Sequence, residues 1–228
     1  MLARFVRFTR VLATAVWLVT GAALTVLTAF EVRDVWLVPP TPAEVSHDLI
    51  VKDAADQSGR RTSFRILLFS DEFRWRINSY DAVEDGTADP QFTPEMKAVL
   101  NSAEEIICVG ASSEEIPPGV TFGRGRAQEE WRAGRRAEQI AKWVRGALSR
   151  PIPVRKLNVG HHAPTRAAGD TSDQRRVVII LVLKHEEGAN IDQSLRSAMA
   201  GEVVRSPIFE SLLTNYSLAD KERFTWVP

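Results

Sequence analysis

The stretch Arg175-Arg176-Val177-Val178-Ile179-Ile180-Leu181-Val182-Leu183 decides the fold. Its apolar run shows no alternation, so it predicts a central strand covered on both faces. Such a strand needs partners, and the residues before it supply them. Ile106-Ile107-Cys108-Val109-Gly110 predicts one strand, and Val154 to Val159 another. Between them, Ala133, Ala137, Ile140, Ala141, Val144 and Leu148 recur at helical spacing and mark one buried stripe of a helix over about 128–148. Arg132, Arg135, Arg136, Lys142 and Arg145 crowd the remaining surface, with Glu129, Glu130 and Glu138 as partial partners. Trp131 falls off the apolar stripe, which marks it for a loop or partner contact. Pro151 and Pro153 end the helix. Gly123-Arg124-Gly125-Arg126 is expected to be its flexible lead-in. These glycines stand far from the strand end and lack the third partner of a dinucleotide fingerprint.

Further upstream, Thr93-Pro94-Glu95 reads as an N-cap, a first-turn proline and a first-turn acid. The helix they start runs to about Ala103 and buries Met96, Val99 and Leu100. Ser63 to Phe69 predicts a strand. Phe73, Trp75 and Ile77 alternate with Arg74, Arg76 and Asn78, the pattern of a half-buried strand. Asp48 to Val51 fits a short edge strand, and Asp53 to Arg61 a loop. Asp81 to Pro90 and Ser112 to Gly119 are turn-rich or irregular. On the C-terminal side, Asp192 is placed to cap a helix over 193–200, and Ser206-Pro207 to start another through Leu213. Ile208, Leu212, Leu213, Phe224 and Trp226 give this tail apolar surface to bury on the domain or on a partner.

The chain has 228 residues, of which 44% are hydrophobic, enough for one core. Its charges balance at 29 against 29, so no global field draws in nucleic acid. The single cysteine, Cys108, excludes an internal disulfide and lies in an apolar strand, where a buried inert thiol is expected. Residues 11–30 contain no charged residue, long enough as a helix to span a hydrocarbon core of roughly 30 Å. Arg4, Arg7 and Arg10 precede this span, so the N-terminus is expected in the cytoplasm and residues 31–228 across the membrane. The apolar run is too long for a cleaved signal peptide, and no small-x-small site follows it. The span carries no ionisable residue, which argues against an ion-coupled motor. Pro39, Pro40 and Pro42 make a stiff spacer beyond it.

Between residues 74 and 183 the predicted order is β-α-β-α-β-β. With Phe92-Thr93-Pro94-Glu95, Ile107-Cys108-Val109-Gly110, Arg135-Arg136-Ala137 followed by Trp143-Val144, Val159-Gly160 with Pro164, and Asp173-Gln174-Arg175-Arg176-Val177, this order resembles the OmpA-like periplasmic domain. The resemblance covers just under half the chain. It implies a periplasmic domain that binds peptidoglycan. In that family a threonine-aspartate pair follows the second-strand glycine, and the aspartate and the helix arginine grip the charged ends of diaminopimelate. A zwitterion is well held by a carboxylate and a guanidinium a few ångströms apart. Here the matching positions read Ala111-Ser112-Ser113, and Glu129 replaces the family's asparagine, while Arg136 matches the arginine. Losing the carboxylate removes a charge-assisted bond of roughly 1.5–3 kcal/mol.

Other chemistry is weakly indicated. His161 and His162 are adjacent after a strand and would point to opposite sides, poor geometry for a metal. His47 and His185 are isolated. Ser112 and Ser113 have neither a nucleophile elbow nor an identifiable Asp-His partner. The expectations are therefore an α+β, OmpA-like β-α-β-α-β-β mixed sheet with helices on one face, preceded by one transmembrane helix. The boundaries are a cytoplasmic N-terminus (1–10), membrane helix (11–30), linker (31–62), periplasmic domain (63–185) and helical extension (186–228). The function expected is non-enzymatic, in a single-pass bacterial inner-membrane protein whose domain associates with peptidoglycan through Arg136, helped by Ser113 or Glu114. The alternative is an interaction subunit of an envelope complex, with a protein partner, that has lost wall binding. No cofactor, metal or nucleic acid is expected.

Overall fold

The computed structural model describes residues 45–69, 73–83, 92–113, 122–161, 172–200 and 224–227. The chain divides into two compact units, Met1–Pro39 and Pro40–Pro228. The first, with the membrane helix expected over 11–30, lies outside the described residues. Among the described residues no helix is long and apolar enough to cross a membrane.

Strands β1 (Val45–Ala55), β2 (Arg61–Phe69), β3 (Glu105–Ser112), β4 (Val154–His161), β5 (Val178–His185) and β6 (Phe224–Trp226) form one sheet. Their order is β1-β2-β5-β3-β4-β6. β3 and β4 run parallel, and the other neighbouring pairs are antiparallel. The described helices are α1 (Pro94–Asn101), α2 (Phe122–Ala147) and α3 (Ile191–Ala200). The fold is α+β with a mixed sheet, its central part in the order β2-α1-β3-α2-β4-β5.

β5 sits where its composition requires, between β2 and β3. Val178, Ile180 and Val182 turn to one face with Phe64, Ile66, Leu68, Ile107 and Val109. Ile179 and Leu181 turn to the other with Leu67, Phe69, Ile106 and Cys108. One unbroken apolar run thus feeds two cores, because successive side chains leave a strand on opposite sides. Leu100 of α1 and Ile140, Ala141 and Val144 of α2 cover one core. Leu195, Ala198 and Met199 of α3 cover the other. The expectation of helices on one face is therefore corrected. Each fully buried aliphatic side chain contributes about 1.5–3 kcal/mol, so the second apolar face also needs a lid, and the C-terminal extension provides it. Cys108 is fully buried, and burial pushes its thiol up, as expected of an inert cysteine.

Several local expectations also change. Residues 73–78 do not form the strand their alternation predicts. Phe73 and Trp75 are buried, but the segment makes isolated bridges, Arg74 to Arg176 and Trp75 to Val83. It then turns through Asn78 at φ 58°, leaving Ile77 exposed; asparagine tolerates this left-handed conformation better than most residues. α2 starts at Phe122, before the predicted start near 128, so Gly123 and Gly125 lie inside its first turns. β1 occupies part of the predicted linker. Asp192 does not cap α3: Asn190 does, its Oδ1 accepting from Gln193 N at 3.1 Å. Thr93 does cap α1, accepting from Met96 N at 3.2 Å. Trp226 is 60% exposed rather than buried. The helix expected through Leu213 lies outside the described residues.

Two contacts fix how the layers meet. A Cβ on Gly110 would stand 1.9 Å from the Ala133 carbonyl oxygen and 2.6 Å from Ala137 N, so α2 lies on β3 at a distance that excludes any side chain. On the other face, Asp56 closes the β1–β2 turn and holds the start of α3. Its Oδ1 accepts from Ser58 N (2.8 Å), Ser58 Oγ (2.7 Å) and Arg60 N (2.9 Å), and its Oδ2 from Asn190 N (2.9 Å). These bonds, that of Asn190 foremost, hold the Asp56 carboxyl down at about 2.

In urea denaturation, Gly110→Ala is expected to lose about 3 kcal/mol, the upper range for overpacking. Gly146→Ala, which meets open space, should gain up to about 1 kcal/mol from helix propensity. Because the folded Asp56 carboxyl titrates below its unfolded value of 3.8, its contribution is present above that value and lost as pH falls through about 2. The urea midpoint difference between the native protein and Asp56→Asn should therefore be full at neutral pH and shrink between pH 4 and pH 2, a window set by that shift.

Candidate functional site

The carboxyl ends of the parallel pair β3 and β4 lie side by side, where parallel strands commonly open a ligand crevice. Ser112 is in register with His161 there, and β4 is irregular just before it, with Gly160 at φ 81°. Asn158 braces this edge: its Nδ2 donates to the Glu130 carbonyl at 3.1 Å, and its Oδ1 accepts from Gly160 N at 2.9 Å. α2 crosses above. Its buried stripe is apolar at Ile140 and Val144, but continues towards the N-terminus through Arg136, Arg132 and Glu129. Helical spacing places these three over the strand ends.

Arg136 is 0% exposed. Its Nε donates to the Ser79 carbonyl (2.9 Å), its Nη1 to the Ala111 carbonyl (2.9 Å) and its Nη2 more weakly to the Arg76 carbonyl (3.5 Å). The guanidinium lies 5.5 Å from the Trp75 ring centroid. Trp75 in turn stacks on Trp143 at 5.2 Å. Arg175, the first residue of the arginine pair, donates through Nη1 to the Trp75 carbonyl at 2.7 Å, while Trp75 N donates to the Arg175 carbonyl at 2.8 Å. Arg136 and Arg175 thus fasten the irregular segment 73–80 to α2 and to the turn before β5.

A carboxylate does reach this end of β3, and it comes from the helix. Glu129, buried, accepts from Ser112 Oγ and from Arg132 Nη1, which is also buried. Ser113 Oγ, next in the chain after Ser112, is buried and has no hydrogen-bond partner among the described residues. The structure therefore brings Arg136 and Ser113 to one end of β3, while Glu114 lies outside the described residues. Chemically the group is a closed ion pair with one hydroxyl, that of Ser112, bonded to it. The sequence reading treated Glu129 and Arg132 as part of a solvated surface. The missed signal was their spacing to Ala133, Arg136 and Ala137, which extends the buried stripe.

A second charged group stands at the opposite end of β3. Arg155 donates through Nε to Glu105 and through Nη1 to Asp192, and its guanidinium lies 5.0 Å from the Trp226 ring centroid. A pocket of about 370 Å³ opens here, lined by Glu105, Arg155, Asp192 and Trp226 and by the turn before α3. Burial pushes the Glu105 carboxyl up, against the opposing pull of Arg155. Among the described residues, no group of histidine, cysteine, aspartate and glutamate is arranged to hold a metal ion.

The chain matches no family model, and no curated protein or solved structure is similar enough to count as a match.

Stability separates the roles in the Glu129 group. Glu129→Ala strands the buried Arg132 guanidinium and should cost about 3–5 kcal/mol. Ser113→Ala removes a buried hydroxyl that has no partner among the described residues and should be neutral or gain about 1 kcal/mol. Urea unfolding reads both, and a clear loss in Ser113→Ala would reveal a bond to that hydroxyl.

Proposed function

We propose that this chain is a membrane-anchored, non-enzymatic interaction subunit of a bacterial cell envelope, with an OmpA-like domain that no longer grips the wall. The resemblance of residues 74–183 motivates the family, and the charge-free span 11–30 motivates the anchor and a periplasmic placement. One observation carries the choice between wall and partner. The arginine that would grip diaminopimelate, Arg136, is fully buried and directs its donors at three backbone carbonyls. A guanidinium so engaged would have to abandon those bonds to take a ligand carboxylate, and buried polar groups left unpaired cost about 1–3 kcal/mol each.

A second reading, wall binding, draws on Ser113. A buried hydroxyl without a described partner, one residue after the Ser112 that bonds the Glu129 carboxylate, is what a partly built ligand site would leave.

Sedimentation with purified sacculi distinguishes the two. The full-length chain in mild detergent is expected to stay in the supernatant. Pelleting that a soluble diaminopimelate-containing muropeptide reverses would establish wall binding instead.

A further inference from the structure

The surface over Arg136 is not a plain solvated face. Trp131 is 55% exposed on α2, and Ile77 is 49% exposed in the turn that leads to Tyr80, whose ring meets Trp131. Tyr80 packs edge-on against Trp131 at 5.2 Å, and the Arg135 guanidinium lies 5.4 Å from the Tyr80 ring centroid. Covering these apolar side chains with a partner would be favourable. Trp, Tyr and Arg in contact are also the residue types that dominate binding energy at protein interfaces. The platform is held in advance of binding. Arg136 bonds the carbonyls of Arg76 and Ser79 on either side of the turn, and the Ser79 hydroxyl donates to Asp81 Oδ1 at 2.8 Å while accepting from Ala82 N at 3.0 Å. Such pre-organisation lowers the ordering cost of association.

Its charge says what it would meet. The helical spacing of 124, 131, 135 and 142 puts Arg124, Trp131, Arg135 and Lys142 along one exposed face of α2, and Arg76 is exposed at the turn. Glu138 on the same face is half-buried and pairs with Arg135 at 2.9 Å, and Asp81 stands at the rim. Among the described residues, cations outnumber acids along this face and turn.

We propose that Trp131, Tyr80, Ile77 and Arg135 form the docking surface for an acidic protein segment, one that presents an apolar side chain to Trp131 between aspartates or glutamates. This rests on the interaction reading above and names its surface and the chemistry of its partner. Charge complementarity selects the acidic flanks, and the aromatic pair selects the apolar anchor.

The test places the photoreactive residue p-benzoylphenylalanine at Trp131, and separately at Ile50 on β1, in the full-length chain in its host membrane. Irradiation should give a protein adduct from Trp131 whose crosslinked peptide is net acidic. Arg135→Glu should reduce that adduct about tenfold with an unchanged melting curve. Should Arg135→Glu itself lower the melting temperature, Lys142→Glu takes its place with the same expectation. The proposal is overturned if position 131 yields no protein adduct, a lipid or glycan adduct, a neutral or basic peptide, or an adduct indifferent to these charge reversals. A protein adduct from Ile50 with none from Trp131 sinks this surface but leaves the interaction reading standing. Reversible pelleting with sacculi sinks that reading itself.

Discussion

The burial of the Arg136 guanidinium is the constraint on which the rest of this domain depends. A fully buried cation is tolerated when its donors are satisfied, and here carbonyls from the turn after Trp75 and from the end of β3 satisfy them. That arrangement requires α2 to lie close on β3, which Gly110 permits. It also requires the segment 73–80 to return over α2, which Arg175 and the Trp75–Trp143 stack enforce. Remove the arginine and the carbonyls of a non-repetitive loop lose their partner. The loop has no ladder to fall back on, since it makes isolated bridges rather than a strand.

The opposite face is organised by a carboxylate in a comparable way. Asp56 satisfies the backbone of its own turn and of Asn190, the cap of α3, together. Both faces of β5 are therefore closed by elements that a single buried or half-buried charge holds in place. At each end of β3 a further arginine is paired with acids: Arg132 with Glu129 of its own helix, and Arg155 with Glu105 and Asp192 from neighbouring elements. Ion pairs with so little exposure are better at fixing one geometry than at adding stability.

Much of the architecture was legible in the sequence, because buried strands and amphipathic helices leave strong periodic marks. The unbroken run at Val177 to Leu183, the cap at Thr93 and the stripe from Ala133 to Val144 each correspond to what the fold contains. The misses share a physical cause. Phe73, Trp75 and Ile77 alternate like a strand, yet hydrogen bonds from distant arginines set that segment, and no local pattern encodes them. Helices on one face was the natural reading when the apolar side of α3 was too short to advertise a second core. In the candidate site, Glu129 and Arg132 looked solvated because charge was weighed above position. Their burial follows from the stripe they extend. Ser113 and Arg136 do share one end of β3, but sequence carries no information on which carbonyls a guanidinium will find.

The pairing of β2 has a consequence for how the chain acquires its structure. β2 is flanked by β1, its neighbour in sequence, and by β5, which is synthesised far later: Arg65 pairs with Leu181. Until β5 arrives, the β1–β2 hairpin presents an unpaired inner edge and apolar side chains on both faces. Such long-range closure is slow relative to local pairing and leaves a sticky intermediate in the meantime. In a chain that emerges N-terminus first, the hairpin is therefore a segment that folding helpers would protect. The bulges and the left-handed Asp53 on β1 make its outer edge a poorer template for a second nascent chain than a flat strand would be.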